Sequence, residues 1–125
     1  MAGHVDFNSV VEGICLRDDR YKPDAYEFVL DALYFTQKDL KKTGHISGKE
    51  LLEGIREFAL KQYGPMARTV FSHWGISKTD DFGDIVFNMI DKKLLSKTET
   101  DTIDDFKSVY EFDTALKPVL GNIEI

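Results

Sequence analysis

A chain of 125 residues with 42% hydrophobic and 30% charged side chains has the balance of an ordinary globular protein, away from the disordered range. That length buries roughly two-thirds of the surface its unfolded form exposes, enough for one core, so a single domain over residues 1–125 is expected. Cys15 is the only cysteine, which excludes an intramolecular disulfide and a four-cysteine zinc site within one chain and favours a reducing compartment.

The opening MAGHVDFNSVVEG lacks the basic and long apolar regions of a secretory signal, and Gly3 stands one place late for myristoylation. Asp31, Lys61, Arg68 and Asp84 interrupt the apolar segments well short of the roughly 20 residues that cross a bilayer. A cytoplasmic protein without membrane contact is the expectation. The net charge of −6 is uneven: from Asp80 to Asp113 ten acids face four bases, and the remainder of the chain balances. Such a segment repels phosphate backbones and attracts basic surfaces within a Debye length of about 8 to 10 Å.

Phe7, Val10, Val11 and Ile14 mark one face of a first helix with Asp6 as its cap, ending near Arg17. Pro23 and Asp24 open a second helix, where the missing donor of proline costs nothing. Its stripe of Tyr26, Val29, Leu30, Leu33, Tyr34 and Leu40 is widened by Phe28, Ala32 and Phe35, which predicts a central position. Thr43 and Gly44 are expected to end it. Ser47 with Glu50 forms a capping-box signature ahead of Leu51, Leu52, Ile55, Phe58 and Ala59. Gly64 suits the left-handed closure of this third helix, and Pro65 suits the start of the next. Met66, Val70, Phe71 and Trp74 line a short fourth helix stopped by Gly75.

Phe82, Ile85, Val86, Met89, Ile90 and Leu94 give the stripe of a fifth helix, with Ser77 or Thr79 as cap and Asp80, Asp81 and Asp84 at its positive end. Beyond it, Leu94 to Lys97 and Phe106 to Phe112 read as two strands around a turn at Thr98 to Thr102, with Phe106, Tyr110 and Phe112 at even offsets. Asp113 to Leu116 suits a last helical turn, and 118–125 a flexible tail. The expected fold is therefore mainly α with a small C-terminal β-hairpin, in the order of a winged helix-turn-helix.

In that order the helix from Asp80 to Lys93 stands where a recognition helix would. A helix that reads DNA needs Arg, Lys, Asn or Gln outward, whereas this one offers four aspartates against Asn88, Lys92 and Lys93. The carboxylates oppose attraction to phosphate, which disfavours nucleic acid; the same shape used for protein contact meets no such objection. His4, His45 and His73 are scattered without an HxxxH or HExxH pattern, and no GxSxG, GxGxxG or GxxxxGK[ST] run occurs. No cofactor or metal is implied. Cys15, at the edge of an apolar stripe, reads as a buried inert thiol, His45 as a surface residue, and His73 as a half-buried packing residue. The acid pairs Asp18–Asp19, Asp80–Asp81 and Asp104–Asp105 point apart in any regular element.

The stretches DDRYKPDAYEFVLDAL, GHISGKELLEGIREFALKQYGPMARTVFSHWGI, KTDDFGDIVFNMIDKKLLSKTETDTIDDF and YEFDTAL resemble a family of short uncharacterised bacterial proteins. The resemblance spans Asp19 to Ala115 and implies a bacterial cytosolic origin without implying an activity. Within these stretches Arg20, Tyr21, Tyr26, His45, Arg56, Asp105 and Phe106 are polar or aromatic groups that the helices do not obviously require. They form a candidate interaction surface, with an internal salt-bridge and hydrogen-bond network as the alternative. The leading functional expectation is a noncatalytic protein-interaction module; a nucleic-acid-binding regulator of winged-helix type and a small enzyme of unknown class are the alternatives. A homodimer would use the second helix if its stripe were exposed.

Overall fold

The computed structural model describes residues 6–97 and 101–117. Helix α1 (Phe7–Arg17) begins where Asp6 leaves extended backbone and its carboxylate accepts from the Asn8 N–H. It buries Val11 and Ile14 against helix α2 (Pro23–Asp39), which opens on Pro23 as expected. Helix α2 stops before Thr43 and Gly44. Lys41 takes a φ of 55°, and the Lys42 N–H returns to the Gln37 carbonyl at 2.9 Å, so the last carbonyls are satisfied without a glycine.

The capping box of helix α3 (Gly48–Tyr63) forms in full: Ser47 Oγ accepts from the Glu50 N–H at 3.1 Å, and the Glu50 carboxylate accepts from the Ser47 N–H at 3.0 Å. Gly64 closes it with a φ of 51° and a ψ of −129°. The φ has the expected sign, but the pair lies outside the left-handed helical basin. A 3₁₀ turn over Gly64–Met66 leads into helix α4 (Ala67–His73), and Gly75, at a φ of 91°, turns the chain toward helix α5 (Thr79–Asp91). Neither Ser77 nor Thr79 caps α5. The Asp81 carboxylate reaches back to accept from the Ser77 and Lys78 N–H groups at 2.8 and 3.2 Å.

Phe28 meets Tyr63, Phe35 meets Phe58, and Thr36 meets Gly54. Numbers rising along α2 meet numbers falling along α3, so the two helices run antiparallel. Their approach is close because Gly54 has no Cβ; one placed there would run into Thr36 Oγ1. That hydroxyl is buried and donates to the Ala32 carbonyl at 2.7 Å, the back-bond that lets a threonine sit inside a helix. Helix α5 packs on α2 and α3 through Phe82, Ile85, Val86 and Met89. The Phe71 ring lies at the centre of the core, its centroid 5.2 to 5.5 Å from those of Phe28, Phe82 and Phe112. Each such buried ring contributes roughly 1.5–3 kcal/mol.

The expected C-terminal hairpin is not present: among the described residues there is no strand. Its turn at 98–100 lies outside the described residues. Thr102 instead caps a 3₁₀ turn over Ile103–Phe106, its Oγ1 accepting from the Asp104 N–H while the Asp105 carboxylate accepts from the Thr102 N–H. Ser108 has a φ of 49°, which interrupts extended chain. The Ser108 and Val109 N–H groups donate to Asp80 Oδ1 and Thr79 Oγ1, both at 3.0 Å, where a hairpin would need carbonyls of a neighbouring strand. Phe112 then opens the single-turn helix α6 (Phe112–Ala115).

The even spacing of Phe106, Tyr110 and Phe112 has another cause: the segment is laid across the helices and inserts side chains between them. Phe106 fills a slot left by Gly48 and Gly83, where Cβ atoms would come within 3.0 and 2.9 Å of it. Tyr110 donates to the Leu52 carbonyl at 2.6 Å. The winged-helix reading fails with the hairpin, because no wing strand occurs among the described residues and α5 buries Phe82, Ile85, Val86 and Met89. Among the described residues no helix is long and apolar enough to cross a membrane.

Candidate functional site

Two constellations gather all but Arg56 of the residues singled out in the sequence. The first is built by the linker between α1 and α2. Arg20 donates from Nε and Nη2 to the two oxygens of Asp18 at 2.8 and 2.6 Å, and from Nη1 to Asp84 Oδ2 at 3.0 Å. The Tyr21 hydroxyl lies 2.7 Å from Asp81 Oδ1 and 2.9 Å from Asp84 Oδ2, so its single proton is shared between two carboxylates. Burial, then those hydrogen bonds, push the Tyr21 phenol well up. The Asn88 amide uses both its hydrogens, one to Asp18 Oδ2 and one to the Tyr26 hydroxyl oxygen, each at 3.0 Å. Burial raises Tyr26 to about 12. The Lys22 N–H donates to the Trp74 carbonyl, and Gly75 makes room for the Arg20 carbonyl, which a Cβ there would strike. These bonds fasten the linker onto α5 and the end of α4. Arg20, Tyr21 and Asn88 each bridge the linker to α5 or α5 to α2, so the constellation ties elements together.

The second is a groove of about 870 Å³ between the end of α2, the start of α3, the end of α5 and the 3₁₀ turn. Leu33, Leu51, Val86, Phe87, Ile90 and Leu94 give it an apolar lining, and His45, Lys93, Asp101, Thr102 and Asp105 give it polar edges. His45 is exposed, with Nε2 3.2 Å from Asp101 Oδ1. Among the described residues no group of three or more His, Cys, Asp or Glu side chains is placed to hold a metal ion.

The seven candidate residues thus divide. Arg20, Tyr21 and Tyr26 join the linker network, the two tyrosines being buried. His45, Asp105 and Phe106 line the groove, with Phe106 mostly behind its wall at 3% exposure. Arg56 stands apart, half-buried and paired with Glu53. Two of the acid pairs point apart as expected: Asp80 accepts from Ser108 while Asp81 faces Tyr21, and Asp104 pairs with Lys107 while Asp105 caps the 3₁₀ turn. His73 is exposed rather than half-buried. Cys15 is half-buried, its Sγ 3.6 Å from the Tyr21 carbonyl, and burial followed by the charge of Asp18 raises its thiol, which keeps it protonated and poorly nucleophilic.

Sequence reasoning missed the lining of the groove. Leu33 and Ile90, members of their helices' apolar stripes, and Phe87 beside the second are only half-buried; the stripes are wider than the face that the neighbouring helices cover, and that width was the available signal. Compared with known proteins, the chain matches no family model, no curated protein and no solved structure.

Proposed function

We propose that the chain is a noncatalytic protein-interaction module, and that the groove between α2, α3 and α5 receives an amphipathic helical segment of a protein partner. One observation carries this reading: the groove joins a continuous apolar floor to a polar edge, the anatomy of a helix-in-groove recognition surface. Leu33, Leu51, Val86, Phe87 and Ile90 of the floor stand on helices α2, α3 and α5, so that part of the floor needs little ordering on binding.

Peptide selection tests it. A displayed library panned on the wild-type chain and counter-selected on Leu94→Glu, which places a charge on the groove lining, is expected to enrich sequences with apolar residues at i, i+3 or i+4, and i+7. Selected peptides should bind Leu94→Glu at least tenfold more weakly, a loss of about 1.4 kcal/mol or more, while circular dichroism shows that the variant stays folded. Equal binding to both proteins removes the groove as the docking surface. The His45–Asp101 pair at its edge is the one observation that favours a small enzyme instead. Turnover of a hydrolase or transferase substrate that is lost in folded His45→Ala would replace the interaction reading with that one.

A further inference from the structure

The acid-rich stretch from Asp80 to Asp113 reads in the sequence as a surface for basic partners, yet the fold engages those acids itself. Asp80 accepts from the Ser108 N–H, Asp81 from the Ser77 N–H and the Tyr21 hydroxyl, and Asp84 from Arg20. Asp91 pairs with Arg17, and Asp104 with Lys107. The two carboxylates on the edge of the groove are engaged likewise: Asp101 Oδ1 lies 3.2 Å from His45 Nε2, and Asp105 accepts from the Thr102 N–H at 3.2 Å. The other charged side chains lining the groove, among the described residues, are Lys93 and Lys97, both exposed.

Lys93 is set in place by the end of α5. The Leu94 N–H returns to the Met89 carbonyl and the Lys93 N–H to the Ile90 carbonyl, both at 2.9 Å, the paired bonds of a Schellman turn. Lys93 takes the left-handed position of that turn, with a φ of 63°, where glycine is the residue without strain. The same turn carries Leu94 into the apolar lining. One helix end therefore presents an apolar side chain and a cation side by side at the edge of the groove.

Resting on the reading of the groove as a helix-docking surface, we propose that the helix it receives is acidic. Its apolar stripe meets the floor, and aspartates or glutamates flanking that stripe meet the edge at Lys93. Charge complementarity chooses this occupant. A basic helix would bring cations against Lys93 and would find the carboxylates of this edge already engaged. The net charge of the chain, −6, favours the opposite partner through long-range attraction, so a preference for acids has to come from the local edge.

The test pans one displayed peptide library in parallel on the wild-type chain and on Lys93→Glu, both checked as folded by circular dichroism. Both should enrich the same apolar spacing, with acidic flanks on wild type and neutral or basic flanks on Lys93→Glu. Changing the flanking acids of a selected peptide to amides should weaken its binding to wild type roughly threefold to tenfold, and high salt should shrink that difference. Lys93→Gly separates charge from fold. It relieves the left-handed backbone, so its melting temperature should be no lower than that of wild type, while most of the difference between acidic and amide peptides should disappear. The apolar spacing with the same flanks on both targets overturns the acidic partner and leaves the groove standing. Loss of the apolar spacing, or acidic peptides that bind Leu94→Glu as well as wild type, removes the groove and this proposal with it. Self-association that competes with the peptides would make a second copy the occupant, and tighter, competing binding of dodecanoate would make it an anionic lipid; either result overturns the proposal.

Discussion

With the Arg20 backbone N–H, Nε and Nη2 and the Asn88 amide all donating to it, the Asp18 carboxyl is held well below the usual range, the Arg20 side chain being the main cause. A carboxyl depressed in the folded state stabilises the fold fully above its unfolded pKa, near 3.9, and that contribution is lost as pH falls through the folded value. Asp18→Asn should therefore unfold more easily than wild type at neutral pH, by about 1–2 kcal/mol given the solvent exposure of Arg20. The gap should narrow progressively below about pH 4. Urea denaturation of both proteins across that range checks it, and a gap independent of pH would remove the ionised carboxylate as its cause. Arg20, Tyr21 and Tyr26 stood out in the sequence, yet their partners did not, because Asp84, Asp81 and Asn88 lie some 60 residues away along the chain.

Single helices were readable wherever local chemistry decides. Asp6, Pro23, Ser47 with Glu50, and Gly75 act within one turn of themselves, and the apolar stripes follow the helical period. How closely two helices approach is a different matter. Gly54 reads as a cost inside a helix, and only its meeting with Thr36 explains it. Gly54→Ala is expected to destabilise by about 1–3 kcal/mol through overpacking, and Thr36→Ala in the same chain should restore part of that loss. At Gly13 in α1 a Cβ would project into open space, with no atom within 4 Å, so Gly13→Ala should stabilise by about 0.5–1 kcal/mol. Thermal melts of the three variants separate contact from propensity: if Gly54→Ala behaves like Gly13→Ala, the close approach of α2 and α3 is not limiting.

At the scale of the whole molecule, Phe106 joins the C-terminal segment to two helices. Its truncation to Ala empties the slot between Gly48 and Gly83 and should cost about 3–5 kcal/mol, a large share of the roughly 5–15 kcal/mol that holds a domain together. Denaturant titration should show the loss with the cooperative transition shifted to lower concentration; a shift as small as that of an exposed substitution would mean the segment is not part of the core. The same residue marks the boundary of sequence reasoning. Composition, helix starts and the wide apolar face of α2 followed from the chain alone, since they depend on neighbours three or four places away. The path of residues 101–117, the partners of the linker and the groove were decided only in three dimensions. An alternating pattern says that every second side chain is covered and does not say by what; here helices provide the cover that a strand pairing would otherwise supply.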